Sequence, residues 1–148
     1  MSRRPEIAHK KPPELLEDLL LGHAQAQLDG PAEARKYLER TIGKHHSMPN
    51  AVKFFMNDLL AQAAAQVGAT EVRDHAVAQV FLHQAAAAEE LPRQYKDWLP
   101  TLRVYEVAID AAMDEGNFDG ALALAEAAVA LGLGKVYVQK AESIRWML

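Results

Sequence analysis

The stretch Gly116-Asn117-Phe118-Asp119-Gly120-Ala121-Leu122-Ala123-Leu124-Ala125-Glu126-Ala127-Ala128-Val129 decides the fold class. Gly116 and Asn117 are residues that accept the positive φ with which many helices end. Phe118 is an apolar plug for the turn, and the residues after it are rich in alanine, the best helix former. Ala121 and Ala128 are seven residues apart, two helical turns, so they share one face. Alanine on that face lets a second helix approach closely. The pattern predicts helix–turn–helix pairs that stack on their neighbours, and hence an all-α chain of antiparallel helices.

A related stretch runs from Leu21 to Ile42. There Asp29-Gly30-Pro31 supplies the turn, Leu21-Gly22 precedes it by the expected interval, Ala34 takes the small position, and Thr41 stands where a second alanine is expected. Both stretches resemble a degenerate tetratricopeptide (TPR) repeat, which has a period of about 34 residues and small or large apolar residues at set positions. In the downstream copy Tyr105 and Ala108 sit where that family places large apolar residues, and Ile109 replaces a small one. The resemblance covers about half of the chain. Ala34 and Ala121 are 87 positions apart, which is not a multiple of 34, so the middle of the chain departs from the repeat register. The resemblance implies a short right-handed solenoid or a helical bundle.

Punctuation residues divide the chain into about seven helices. Pro12-Pro13 opens the first, which runs to about Leu28, and the second covers about 32–42. A loop containing His45-His46 leads to Asn50, read as the cap of a third helix reaching Val67. In that helix Val52, Phe55, Met56, Leu59, Leu60, Ala63 and Val67 recur at helical spacing. Thr70 is read as the cap of a fourth helix running to about Glu90, with Val72, Ala76, Val80 and Phe81 inward. Pro92 breaks the chain. The fifth helix runs from about 95–101 to Glu115 with an interruption at Pro100, the sixth from Asp119 to Leu131, and the last from Val136 to Met147.

Composition bounds the class. The 148 residues suit one domain, and a chain of this size buries roughly 70% of its unfolded surface. There is no cysteine, which removes disulfides and thiolate metal sites. No apolar run approaches the ~20 residues of a membrane span, and no apolar segment follows the basic N-terminus as in a secretory signal. These features predict a cytoplasmic protein. Residues 1–13 carry a net +3 from Arg3, Arg4, Lys10, Lys11 and Glu6, which leaves −7 on the rest of a chain whose total is −4. The expected organisation is a flexible basic tail, 1–13, followed by a single all-helical domain, 14–148. An acidic body argues against nucleic acid as its partner.

The residues for chemistry are sparse. The histidines are His9, His23, His45, His46, His75 and His83. His45-His46 sits in a loop, where a metal would still need at least one more ligand, and His75 and His83 are two helical turns apart, too far to chelate one ion alone. No metalloprotease motif, nucleophile elbow, dinucleotide fingerprint or phosphate loop occurs. The expectation is a non-enzymatic chain with no cofactor, no metal and no catalytic residue.

In TPR proteins the first helix of each repeat lines a concave groove. Carried across by position, the resemblance implies partner-binding roles for Arg103, Glu106, Asp110, Met113 and Asp114, and in the first copy for Leu16, Leu19, His23, Ala26 and Gln27. Glu106, Asp110 and Asp114 follow i, i+4, i+8 and form one acidic stripe, suited to a basic segment. The lysines, arginines and asparagines with which some TPR domains clamp a C-terminal carboxylate are missing at these places. The implied function is an adaptor, scaffold or partner-specific chaperone that takes a helix or extended peptide in a groove. At the last helix Ile144, Met147 and Leu148 share a face with Val136 or Val138 and Ala141. Trp146 falls off that face, which points to self-association or partner docking there. Two other classes stay open. Gly116–Leu133 bears a faint resemblance to a Gly-x-x-x-Gly-Ala-Leu helix pair in terminase subunits of tailed phages, which would suit a nucleoprotein accessory factor. The histidines alone speak for a helical metal-binding protein.

Overall fold

A computed structural model describes residues 12–44 and 47–148. The basic tail, apart from the first helical turn it enters, and the His45-His46 pair lie outside the described residues. Every regular element among those described is helical. The α-helices are α1 (Pro12–Gln27), α2 (Pro31–Lys44), α3 (Asn50–Gln66), α4 (Thr70–Ala86), α5 (Leu91–Gln94), α6 (Val104–Asp114), α7 (Phe118–Ala130) and α8 (Lys135–Met147), with a 3-10 helix, Lys96–Thr101, before α6. Neighbouring helices pack on one another as in a bundle. Within the span read as one domain, contacts gather into two compact units, Met1–Tyr95 and Lys96–Leu148.

In the first unit α3 is the hub, packed by α1, α2 and α4. Three neighbours enclose most of α3: Val52, Phe54, Phe55, Met56, Leu60, Ala61 and Ala64 are all buried, while Lys53 and Gln62 stay half-buried. Phe54 meets Phe55 edge to face at 5.0 Å. Two polar side chains are drawn inside with partners. Asn57 Nδ2 donates to the Lys53 carbonyl at 2.9 Å, and the Asp58 carboxylate accepts from Gln62 Nε2 at 2.9 Å. Tyr95 packs its ring 5.8 Å from that of Phe55. Burial first, and Glu90 second, push its phenol up to about 12.

The α1–α2 pair shows how a missing side chain sets a distance. A Cβ at Gly22 would run into the ring of Tyr37. The bare glycine lets that ring lie against α1, where the Tyr37 hydroxyl donates to the Leu19 carbonyl at 3.2 Å. Ala34 and Leu38 are buried beside it. Thr41 is buried too and returns its hydroxyl to the Tyr37 carbonyl at 2.8 Å, so a hydroxyl is accommodated where the repeat pattern calls for alanine.

Several local expectations shift. Asn50 and Thr70 are the first helical residues and not caps; the caps are Pro49 and Ala69, with no side-chain cap bond. The Asn50 side chain instead lies 3.1 Å from Nδ1 of His83 on α4. Val67 is 37% exposed because it is already past the last turn of α3, and Leu59 is only half-buried. The fourth helix stops at Ala86, Pro92 falls in the single turn of α5, and the 3-10 helix holds Pro100. The fifth expected helix is therefore divided, and α6 begins only at Val104. At the turn before α7, Gly116 alone takes a positive φ, +75°. Asn117, at φ −88°, caps α7 by accepting the Gly120 amide on Oδ1 at 3.0 Å, which satisfies one of the amides that a helix start leaves open.

Candidate functional site

The second unit builds a groove from three helices. α7 contributes one stripe of small residues, Ala121, Ala125 and Ala128, each fully buried. α6 and α8 both pack on α7. They meet each other where the rings of Tyr105 and Tyr137 stand edge to face at 6.4 Å. Beyond that contact they leave a groove of about 430 Å³, lined by Ile109, Asp110 and Met113 from α6 and by Val136, Gln139, Lys140, Ser143, Ile144 and Met147 from α8. Its lining is mostly apolar. Val136 and Met147 are each more than half exposed, and Ile109 and Ile144 form the buried floor. The α6 wall runs from Ile109 to Met113, about 6 Å along that helix, and the α8 wall from Val136 to Met147, about 16 Å.

The walls differ in charge. Asp110 lies on the α6 side, with Glu106 and Asp114 one turn before and after it. Lys140 lies on the α8 side. Glu106 is 3.9 Å from Arg103, an exposed pair of little energetic weight. No ion pair involving Asp110, Asp114 or Lys140 occurs among the described residues. On the opposite side of α8, Arg145 bonds Glu126 of α7 at 2.9 Å.

The residues implied by the repeat resemblance divide sharply. Asp110 and Met113 line the groove; Glu106 and Asp114, a turn to either side of Asp110 on α6, are not among its lining residues. Arg103 is the residue before α6 and donates to the Leu102 carbonyl at 3.0 Å, so it stands at the entry of the helix and not along its face. In the first unit Leu16, Leu19 and His23 are buried, where α1 packs on α2 and α3. Their face of α1 is used by the fold itself. Gln27 is exposed and Ala26 half-buried. Trp146 is 91% exposed. Helical periodicity places it beside Gln139 and Ser143, on the outer rim of the groove.

The sequence reading missed the α8 wall. Spacing in the sequence groups Ile144 with Met147 and Leu148 as the packed face. The buried stripe is instead Tyr137, Ala141 and Ile144, and Met147 and Leu148 are each more than half exposed. The i, i+4, i+7 spacing of Tyr137, Ala141 and Ile144 is the signal that identifies it.

A second recess, of about 380 Å³, lies in the first unit among α2, α3 and α4, with Glu39, Lys53, Asn57, Gln79, His75 and His83 on its walls. The two α4 histidines thus face one recess. No cluster of three His, Cys, Asp or Glu side chains placed to hold a metal ion occurs among the described residues. Burial, and then Lys53, hold His83 below its ordinary value, and burial does the same to His23.

His23 makes a pH prediction. Its folded pKa lies below the ordinary 6.5, so the unfolded chain takes the proton first. The stability contribution is complete above pH 6.5 and is lost as pH falls below it. His83 acts with the same sign and is more exposed. Thermal melts followed by circular dichroism should therefore show midpoints falling on acidification through this range. His23→Leu should flatten part of the slope. A slope unchanged by that substitution would contradict the assignment to His23.

Comparison with protein-family models, with curated proteins and with solved structures gave no match. No helix among the described residues is long and apolar enough to cross a membrane.

Proposed function

We propose that this chain is a non-enzymatic protein-interaction module, and that the α6–α8 groove receives a helical segment of a protein partner. One observation carries the reading: an open, mostly apolar groove between α6 and α8 with Asp110 on its α6 wall and Lys140 on its α8 wall. The last turn of α6 holds Asp114 and is followed by Glu115, with no basic residue nearby in that turn. Negative charge at a helix C-terminus opposes the macrodipole, by typically 0.3–1 kcal/mol per charge. Asp114 and Glu115 thus weigh slightly against the helix, whereas Glu106 in its first turn favours it. A segment with apolar residues at i, i+3, i+4 and i+7 and basic residues on one flank matches the apolar floor and the acidic wall. This reading retains the adaptor or chaperone role of TPR-like proteins and narrows it to one surface.

A photo-crosslinking amino acid at Gln139, a polar groove position, tests the reading in intact cells. It should give a protein adduct, and the same residue at exposed Leu82 in the first unit should not. Mutating Glu106, Asp110 and Asp114 to their amides should weaken the adduct. The binding should also weaken as salt rises through ~0.15 M, where charges about 8 Å apart are screened. Absence of any adduct from Gln139 would overturn the proposal.

A further inference from the structure

We propose that Met113 and Met147 form a peroxide-sensitive pair, and that their oxidation to sulfoxides shuts the α6–α8 groove to its partner; this rests on the groove being an interaction surface. The described residues include four methionines, and burial divides them in two. Met48 is 7% exposed and Met56 is fully buried, both in the first unit. Met147 is 58% exposed and Met113 is half-buried, and both line the groove, one from α8 and one from α6. Among the described residues, accessible thioether sulfur is thus confined to this groove. A thioether is soft and polarizable and fills an irregular apolar contact well. Its sulfur lone pair also attacks hydroperoxides. An S–O bond forms as the O–O bond of hydrogen peroxide breaks, one oxygen atom passes to sulfur, and the rest leaves as water. Sulfur loses the two electrons that the peroxide gains. A polar sulfoxide then stands in place of a flexible apolar side chain. Two such dipoles would replace apolar surface among Ile109, Val136 and Ile144. The apolar face of an incoming helix would strip their water without offering a donor in return, which is unfavourable. Met48 and Met56 stay reduced, so the fold survives the same exposure. Reductases that act on methionine sulfoxide return the groove to its starting state.

The full chain tests this in two stages. Purified protein is treated with hydrogen peroxide, quenched and digested for mass spectrometry. Met113 and Met147 should each gain one oxygen roughly tenfold faster than Met48 and Met56 or more, with the circular dichroism spectrum unchanged. The same oxidised protein, carrying the photo-crosslinking amino acid in place of Gln139, is then added to a lysate. The adduct identified in intact cells should fall about tenfold or more relative to untreated protein, and methionine sulfoxide reductase should restore it. The double variant Met113→Leu, Met147→Leu should lose none of its own starting adduct on treatment, whatever that starting yield is. Oxidation of Met48 or Met56 as fast as the groove pair would overturn this inference and leave the groove reading standing. So would an adduct untouched by peroxide, or a double variant that loses its adduct as wild type does. Absence of any adduct from untreated protein would end both.

Discussion

Ala121→Glu should lower the stability of the second unit by ~3 kcal/mol or more. Ala121 is fully buried in the stripe of α7. A glutamate there must either overpack the contact, which typically costs 1–3 kcal/mol, or bury a carboxylate with no cation facing it. Glu126→Ala, five residues along the same helix, is the control. It breaks an exposed pair with Arg145 and should cost less than about 1 kcal/mol. Both tryptophans, Trp98 and Trp146, belong to this unit, so urea melts followed by their fluorescence report on it. Equal midpoints for the two variants would show that the alanine stripe is not a close-packed contact.

Gly22→Leu should destabilise the first unit by about 2–3 kcal/mol. Any side chain at this position collides with the Tyr37 ring. Displacing the ring also breaks the bond from the Tyr37 hydroxyl to the Leu19 carbonyl. Overpacking and the lost hydrogen bond outweigh the gain of about 1 kcal/mol from removing a helical glycine. Gly43→Ala isolates that gain. Gly43 is also helical, and nothing lies within 4 Å of where its Cβ would be. It should therefore leave stability unchanged or raise it by up to about 1 kcal/mol. Circular dichroism melts compare the two, and a Gly22→Leu variant as stable as Gly43→Ala would refute the close approach of α1 and α2.

These two positions mark what the sequence discloses well. A glycine or alanine at a fixed interval from a turn has few reasons to be there other than a close neighbour, so Gly22, Ala34, Ala121 and Ala128 point to helix contacts before any coordinates. Turn residues are equally plain, since Gly30, Gly116 and Gly132 all take a positive φ. Orientation is less legible. In α3 helical spacing picks out the face of Val52, Phe55, Met56, Leu60 and Ala63 and passes over Phe54, which is fully buried because α1, α2 and α4 enclose more than that one face. In α1 the spacing of Leu16, Leu19 and His23 suits a groove and a core equally, and only the packing of α2 and α3 decides for the core. In α8 large apolar residues occupy more than one face. The pattern alone cannot say that Ile144 is floor while Met147 is open lining. The acidic wall was legible because i, i+4, i+8 spacing needs only the helix, whereas Lys140 enters the site only through the tertiary placement of α8 beside α6.

The most direct test of the groove as an interaction surface uses the absence of cysteine from the chain. Ser143→Cys places one thiol on the exposed α8 wall of the groove, and Leu82→Cys places one on exposed α4 in the first unit. Alkylation rates of the two are measured in dilute purified protein and in intact cells, each as the ratio of Ser143→Cys to Leu82→Cys. An occupied groove predicts that the ratio falls in cells, because a seated helix covers position 143 and leaves 82 open. An unchanged ratio would contradict the account.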